Sequence, residues 1–282
     1  MEGRAAHHKP WALILGASSG FGGAAAVELA RHGYNIFGIH LDRQITMPNV
    51  NQIIKKIEKS GQEAVFFNIN AADPIKRQEV IDEIKERFEA NKEHPKIKVL
   101  IHSLAFGTLK PYFGKSPNDV ISQAQMQMTL DVMAHSLVYW VQGLIFENLL
   151  SEGGRIFALT SAGSHTVIPY YGAVSAAKAA LEAHIRQIAV ELGFMKVTAN
   201  AIMAGVTDTP ALQKIPGADK MLESARTKNP MGKLTSPDEV ARAIVLLCED
   251  SASWISGNVI GVDGGEYIVN YIGDKVSKGF LK

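Results

Sequence analysis

The chain has 282 residues, 46% hydrophobic and 20% charged, with a formal net charge of +1. Such a composition supports a large core and opposes disorder, and its near-neutral balance gives no basic field for nucleic acid. A single cysteine, Cys248, excludes an internal disulfide and suits a reducing compartment, and no run is apolar and long enough to span a bilayer.

The polar leader 1–10 lacks the apolar core of a signal peptide, so a cytoplasmic location is expected. Its His7–His8 pair is read as part of that leader, and no metal site is expected. Trp11–Leu15 is the first predicted strand, and Gly20–Gly33 a helix ending on glycine. A strand at Asn35–His40, a polar helix at Asn49–Ser60 and a strand at Ala64–Phe67 follow. Pro74–Ala90 is an amphipathic helix with proline at its start. Next come a strand at Lys98–His102, one broken or two consecutive helices within Pro117–Leu150, and a strand at Gly154–Thr160. The order closes with an alanine-rich helix at Tyr170–Gly193, a strand at Val197–Met203, a helix at Ser236–Glu249 and a strand at Val259–Val262.

This alternation predicts an α/β fold, a three-layer Rossmann-type doubly wound parallel sheet. No repeat, linker or composition break interrupts it, so residues 11–270 form one domain between the tails 1–10 and 271–282. The least regular stretch, 207–234, carries Pro210, Pro216, Gly217 and Pro230. It follows the sixth strand at the sheet edge where α/β folds bind ligands, and is the expected substrate lid.

Directly after the first strand comes Gly16-Ala17-Ser18-Ser19-Gly20-Phe21-Gly22. Glycine lets backbone turn sharply toward a pyrophosphate, and the helix that follows offers free N–H groups and a positive dipole end. Its Gly-x-x-x-Gly-x-Gly spacing resembles the short-chain dehydrogenase/reductase superfamily, with Leu15 where that family has Thr. Other matches are Asn70 with Asp73 after the third strand, Asn200 in the sixth, and Val262-Asp263-Gly264-Gly265 at the close. The resemblance covers roughly Ala12 to Tyr267. It implies a nicotinamide dinucleotide held by Gly16, Ser18, Ser19, Gly20, Phe21 and Gly22. Asn70, Ala71, Ser103, Leu104, Ala105, Gly205, Val206, Thr207 and Thr209 would complete that site. Arg43, with His40, favours NADPH over NADH; Asp42 and Arg43 as a solvated pair is the alternative.

The chemistry falls on Tyr170-Tyr171-Gly172-Ala173-Val174-Ser175-Ala176-Ala177-Lys178. Most of the superfamily has Tyr four residues before Lys, a place held here by Val174. Tyr171 lies seven residues before Lys178, which on a helix returns the side chain to the same face after nearly two turns. A lysine in so apolar a stretch needs a partner, and its ammonium would favour ionisation of a nearby phenol. A Tyr-x6-Lys spacing is similar to the enoyl-thioester reductases. The His102-Ser103-Leu104-Ala105-Phe106-Gly107 turn and Ala204-Gly205 resemble enoyl-acyl carrier protein reductases, closest to the type III group.

That resemblance implies reduction of a trans-2-enoyl thioester on an acyl carrier protein in fatty acid biosynthesis. Tyr171 and Lys178 would be catalytic, with Lys178 also holding the nicotinamide ribose. Ser161 stands where ketone-reducing relatives carry a catalytic serine, and Met133 replaces the superfamily's helix asparagine. Phe106, Leu109, Leu212, Ile215 and Met221, together with Tyr171, are the candidate acyl-binding residues, and Lys214, Lys220, Arg226 and Lys228 would steer an acidic carrier. Three alternatives remain open: a ketone- or 3-oxoacyl-reducing relative, an enoyl-coenzyme A reductase, and a non-catalytic dinucleotide sensor. A dimer or tetramer is implied through the two long central helices, with Tyr139 and Trp140 as interface candidates.

Overall fold

The structure is a computed structural model that describes residues 9–269. His7, His8 and the tail 271–282 lie outside the described residues. Seven parallel strands form one sheet in the order β3-β2-β1-β4-β5-β6-β7. They are β1 (Trp11–Leu15), β2 (Asn35–His40), β3 (Ala64–Asn68), β4 (Ile97–His102), β5 (Leu150–Thr160), β6 (Thr198–Ala204) and β7 (Val259–Val262). The order reverses between β1 and β4, which opens a crevice at the carboxyl ends of those strands. β1 and β2 are buried along their whole length, as expected of central strands covered on both faces.

Helices α1 (Gly20–Arg31), α2 (Met47–Lys59) and α8 (Pro237–Cys248) cover one face. On the other lie α3 (Pro74–Glu89), α4 (Gln123–Leu130), α5 (Ser136–Phe146) and α6 (Gly172–Glu191). Two apolar layers result: Ile14, Leu29, Ile57 and Ile244 belong to the first, Leu13, Ile84, Trp140 and Leu181 to the second. Helix starts follow their capping chemistry. The Asp73 carboxylate accepts from the N–H groups of Ile75 and Lys76 at 2.9 and 3.0 Å, with Pro74 at the first helical position. Ser236 and Glu239 form a capping box at α8.

Four boundaries differ from the sequence reading. The stretch Pro117–Leu150 is helical only from Gln123 to Phe146, and one π-helical turn at Asp131–His135 separates α4 from α5. β5 begins at Leu150, four residues before Gly154, because its first half pairs with Ile97 across a register shift. The expected lid contains an ordered helix, α7 (Ala218–Lys228), entered through Gly217 at φ +84°. Its four-residue apolar spacing is sparse, so the flanking prolines dominated the pattern. Finally, α6 starts at Gly172, because Tyr170 takes φ +65° and breaks the helical path.

Candidate active site

A cavity of 340 Å³ opens beyond the carboxyl ends of β4, β5 and β6. Ser103 and Leu104 line it from β4, Thr160 and Ser161 from β5, and Ala204 to Thr207 from β6. Tyr171, Val174 and Lys178 form its α6 wall, and Leu212, Ile215 and Met221 its cover.

The glycine loop runs beside it. Gly16 has φ +91°, and a Cβ there would stand 2.5 Å from the carbonyl oxygen of Ser103. Its N–H donates to the Ile39 carbonyl at 2.8 Å, which folds the loop across the end of β2. A Cβ on Gly22 would collide with the Gly16 carbonyl. Backbone is thus bare and close-packed at the entry to α1, a cradle that fits a dinucleotide pyrophosphate. Thr209 closes the loop from above, its Cγ2 standing 3.7 Å from where a Cβ of Gly20 would lie.

At the outer end of that loop, Asp42 is held as a carboxylate. Burial opposes this, but hydrogen bonds from Thr46, Ser18 and His40 together keep it below the usual range. The Asp42 backbone is fixed by reciprocal bonds with the Asn68 side chain. His40 is 4% exposed and its Nδ1 lies 3.0 Å from Asp42 Oδ2. The expected contact of His40 with a phosphate is therefore corrected: the imidazole is buried and committed to Asp42. Arg43 is exposed and belongs to no ion pair among the described residues.

Tyr171 is the residue just before α6, with φ −93° and ψ 2°. The picture of two side chains on successive turns of one helix is corrected accordingly; the link between Tyr171 and Lys178 is their shared cavity. Tyr171 sits against Gly163 and Ser161. Burial raises its pKa, the Ser161 hydroxyl partly offsetting this, so the expected shift toward ionisation is corrected. The phenol remains a neutral donor at physiological pH. Ser161 Oγ is buried and makes no full hydrogen bond in the structure. The Ser175 hydroxyl donates to the Gly163 carbonyl and ties this loop to α6.

Lys178 is 5% exposed, and its Nζ donates to the Leu159 carbonyl at 2.6 Å. Desolvation lowers its pKa to about 8, against the opposing pull of Glu182. The sequence position of the usual tyrosine is held by an apolar side chain that lines the cavity. Val174 and Met133 meet over Gly107, where a Cβ would stand 2.8 Å from Val174 Cγ2 and 2.9 Å from Met133 Sδ. Met133 lies in the π-helical turn, and no polar relay passes through it. Beneath it, His102 is fully buried, with Nε2 2.9 Å from Ser136 Oγ and Nδ1 unpartnered.

Of the anticipated cofactor residues, Phe21, Ser103, Leu104, Ala105, Gly205, Val206, Thr207 and Thr209 line the cavity. Gly16, Ser18, Ser19, Gly20 and Gly22 form the adjoining loop. Asn70 and Ala71 do not reach the cavity. Asn70 accepts from the Ala72 N–H in a local turn, and the Ala71 carbonyl is taken by the indole N–H of Trp140. That bond places Trp140 in the core, which corrects it as an interface residue; Tyr139 is exposed, under the Arg77 guanidinium. Among the acyl-binding candidates, Leu109, Leu212, Ile215 and Met221 line the cavity, whereas Phe106 points out, 58% exposed beside Lys214. Sequence reasoning missed Glu182, Thr160 and Glu266. Glu266 is part-buried and accepts from the Val206 N–H at 3.2 Å; nothing in its local pattern signalled a return to β6.

Residues 16–266 match the family model described as enoyl-(acyl carrier protein) reductase. The chain belongs to this family, within the short-chain dehydrogenases/reductases. Among curated relatives of the family member, versicolorin reductase 1 of Dothistroma septosporum is 26% identical, covering 91% of this chain and 95% of that protein. The enoyl-[acyl-carrier-protein] reductase [NADH] FabI of Nostoc sp. is 30% identical, covering 78% and 80%. The solved angucycline C-6 ketoreductase LanV with bound NADP aligns at a TM-score of 0.78 and 20% identity, over 92% of this chain and 96% of that one; it shares the fold. Oxidoreduction with a nicotinamide dinucleotide is thereby supported for this family member. Among the described residues, no helix is long and apolar enough to cross a membrane.

Proposed function

We propose that the protein reduces the trans-2 double bond of an enoyl thioester carried on an acyl carrier protein, with NADH or NADPH. One observation carries this reading. Tyr171 is a protonated donor lining the cavity, while Val174, at the sequence position of the usual tyrosine, lines it beside Met133, and neither can donate a proton. In a ketone, the carbon that accepts hydride bears the oxygen. In an enoyl thioester the oxygen lies two bonds farther away, so a displaced donor suits it.

The nicotinamide, when bound, supplies hydride to the β-carbon. Tyr171 then donates its hydroxyl hydrogen bond to the thioester oxygen as enolate charge develops there. Lys178 would hold the nicotinamide ribose, and a proton would reach the α-carbon from Tyr171 or water. Leu109, Leu212, Ile215 and Met221 supply apolar, adaptable walls for an acyl chain. Lys214 and Lys228 at the cavity, with exposed Lys220 and Arg226, give an acidic carrier a basic approach. Assembly into a dimer or tetramer belongs to the same reading.

A second reading has its own support. The Ser161 hydroxyl is buried beside the Tyr171 phenol with no full hydrogen bond, which suits a donor waiting for a carbonyl oxygen, and versicolorin reductase 1 is a relative. Parallel oxidation assays with crotonyl and acetoacetyl thioesters, each with NADH and NADPH, separate the two. Turnover of crotonyl thioester alone supports enoyl reduction. Turnover of acetoacetyl thioester alone supports ketone reduction, and binding without turnover across a panel of both classes would leave a dinucleotide sensor.

A further inference from the structure

The mechanism above uses Lys178 but not the carboxylate behind it. Glu182 follows Lys178 by one helical turn on α6 and is 3% exposed. A carboxylate so buried is costly unless its oxygens are satisfied. Oε1 accepts from the Thr160 hydroxyl at 2.6 Å. Oε2 lies 3.7 Å from Nε2 of His165, beyond hydrogen-bond range, on the loop after β5. His165 lies on the solvent side of Glu182, and Lys178, one turn back along α6, lines the cavity.

Lys178 needs such a neighbour. Its Nζ has the Leu159 carbonyl as partner, which is polar but uncharged. Met133, 2% exposed and apolar, supplies no charge on that side of the cavity. Other ionisable groups facing this end of the site do not compensate. His102 from β4 is buried and neutral, with His184 beyond it, and Tyr171 is protonated. Asp263 and Glu266 stand on the β7 side of the cavity.

We propose that Glu182 is a positioning residue: the buried counter-charge one helical turn from Lys178 that keeps it an ammonium ion, with one carboxylate oxygen fixed by Thr160. It touches neither substrate nor cofactor and acts through Lys178. This rests on the reading of Lys178 as a dinucleotide-ribose ligand.

The test is dinucleotide affinity against pH, measured by nicotinamide fluorescence on the full chain without substrate, using whichever of NADH and NADPH the wild type binds more tightly. Affinity should fall as Lys178 loses its proton, with a midpoint near pH 8 in the wild type. In Glu182→Gln the midpoint should move down by about one pH unit or more, since an opposite charge at this range shifts a titration by that order. Glu182→Asp should restore most of it. Thr160→Val, which leaves the carboxylate in place but frees one oxygen, should give an intermediate midpoint and serves if Glu182→Gln does not fold. A uniform loss of affinity with an unmoved midpoint in Glu182→Gln and Thr160→Val would overturn the proposal. Failure of the wild type to bind either dinucleotide would instead overturn the cofactor reading on which it rests.

Discussion

The ring of Tyr171 packs on the backbone of Gly163, so closely that a Cβ on that glycine would stand 2.7 Å from the ring carbon Cε1. The same Cβ would lie 3.2 Å from Ser161 Oγ. Gly163→Ala should therefore push the phenol off its position without touching the dinucleotide loop. Because small misplacements of a reacting group are expensive, kcat should fall about tenfold or more while dinucleotide affinity stays near wild type. Steady-state kinetics with crotonyl thioester check this, and an unchanged kcat would show that the phenol's position does not matter.

Tyr171→Phe removes the donor and keeps the ring. Loss of a single oxyanion-directed donor costs about 100-fold or more in kcat elsewhere, and a similar fall is expected here with the fold intact by circular dichroism. Full turnover by this variant would remove Tyr171 from the mechanism. Lys178→Ala should lower dinucleotide affinity and kcat together, since one side chain serves both.

Two neighbours of opposite charge are expected to govern cofactor choice. Asp42 is an ionised carboxylate bonded to Ser18 of the glycine loop, while Arg43 is an exposed cation. An anion disfavours the extra phosphate of NADPH and a cation favours it. Asp42→Asn should raise the ratio of kcat/KM for NADPH over NADH, and Arg43→Ala should lower it, each by about tenfold at low salt and less at high salt. Ratios that do not move, or move the other way, would place the ribose elsewhere.

Acid stability should report His102. The Ser136 hydroxyl donates its one hydrogen to the Val132 carbonyl at 2.9 Å, so His102 Nε2 must be the donor in its bond to Ser136. Nδ1 is then without a hydrogen bond, and protonating it would bury a charge that the nearby Val132 and His102 carbonyls only partly offset. Burial, with the nearby Lys178 charge, lowers the imidazole pKa from 6.5 to about 3. The unfolded chain thus binds a proton between these values that the folded chain does not. Its stabilising contribution is complete above pH 6.5 and is lost as pH falls toward 3, at about 1.4 kcal/mol per pH unit at most. Urea unfolding at pH 7 and pH 5 should show this slope, and His102→Gln should flatten it. An equal slope in both proteins would assign the acid sensitivity to other groups.

Much of the framework is legible in the sequence. β1, β2 and β7 were placed residue for residue, because short apolar runs bounded by turn residues leave little choice of register. The glycine loop was equally plain: Gly16 needs a left-handed backbone and Gly22 a bare approach, both local demands. Less visible were features whose cause lies far along the chain. α7 was hidden by the prolines around it. The break before α6 was hidden by an apolar, alanine-rich pattern that extends back through Tyr170, although Tyr170 itself turns left-handed.

The Tyr171–Lys178 pair shows where the division falls. Sequence by itself determined the parallel α/β order, the dinucleotide cradle and the unusual spacing of Tyr171, Val174 and Lys178, since these are written in periodicity and in residue type. Only the tertiary structure decided what those residues face. It put Tyr171 ahead of the helix and against Gly163, packed Met133 beside Val174, turned His40 away to Asp42, and brought the Thr160 hydroxyl to Glu182. The physical reason is that burial and hydrogen-bond partners come from strands and loops distant in sequence. A side chain's charge state follows from those surroundings.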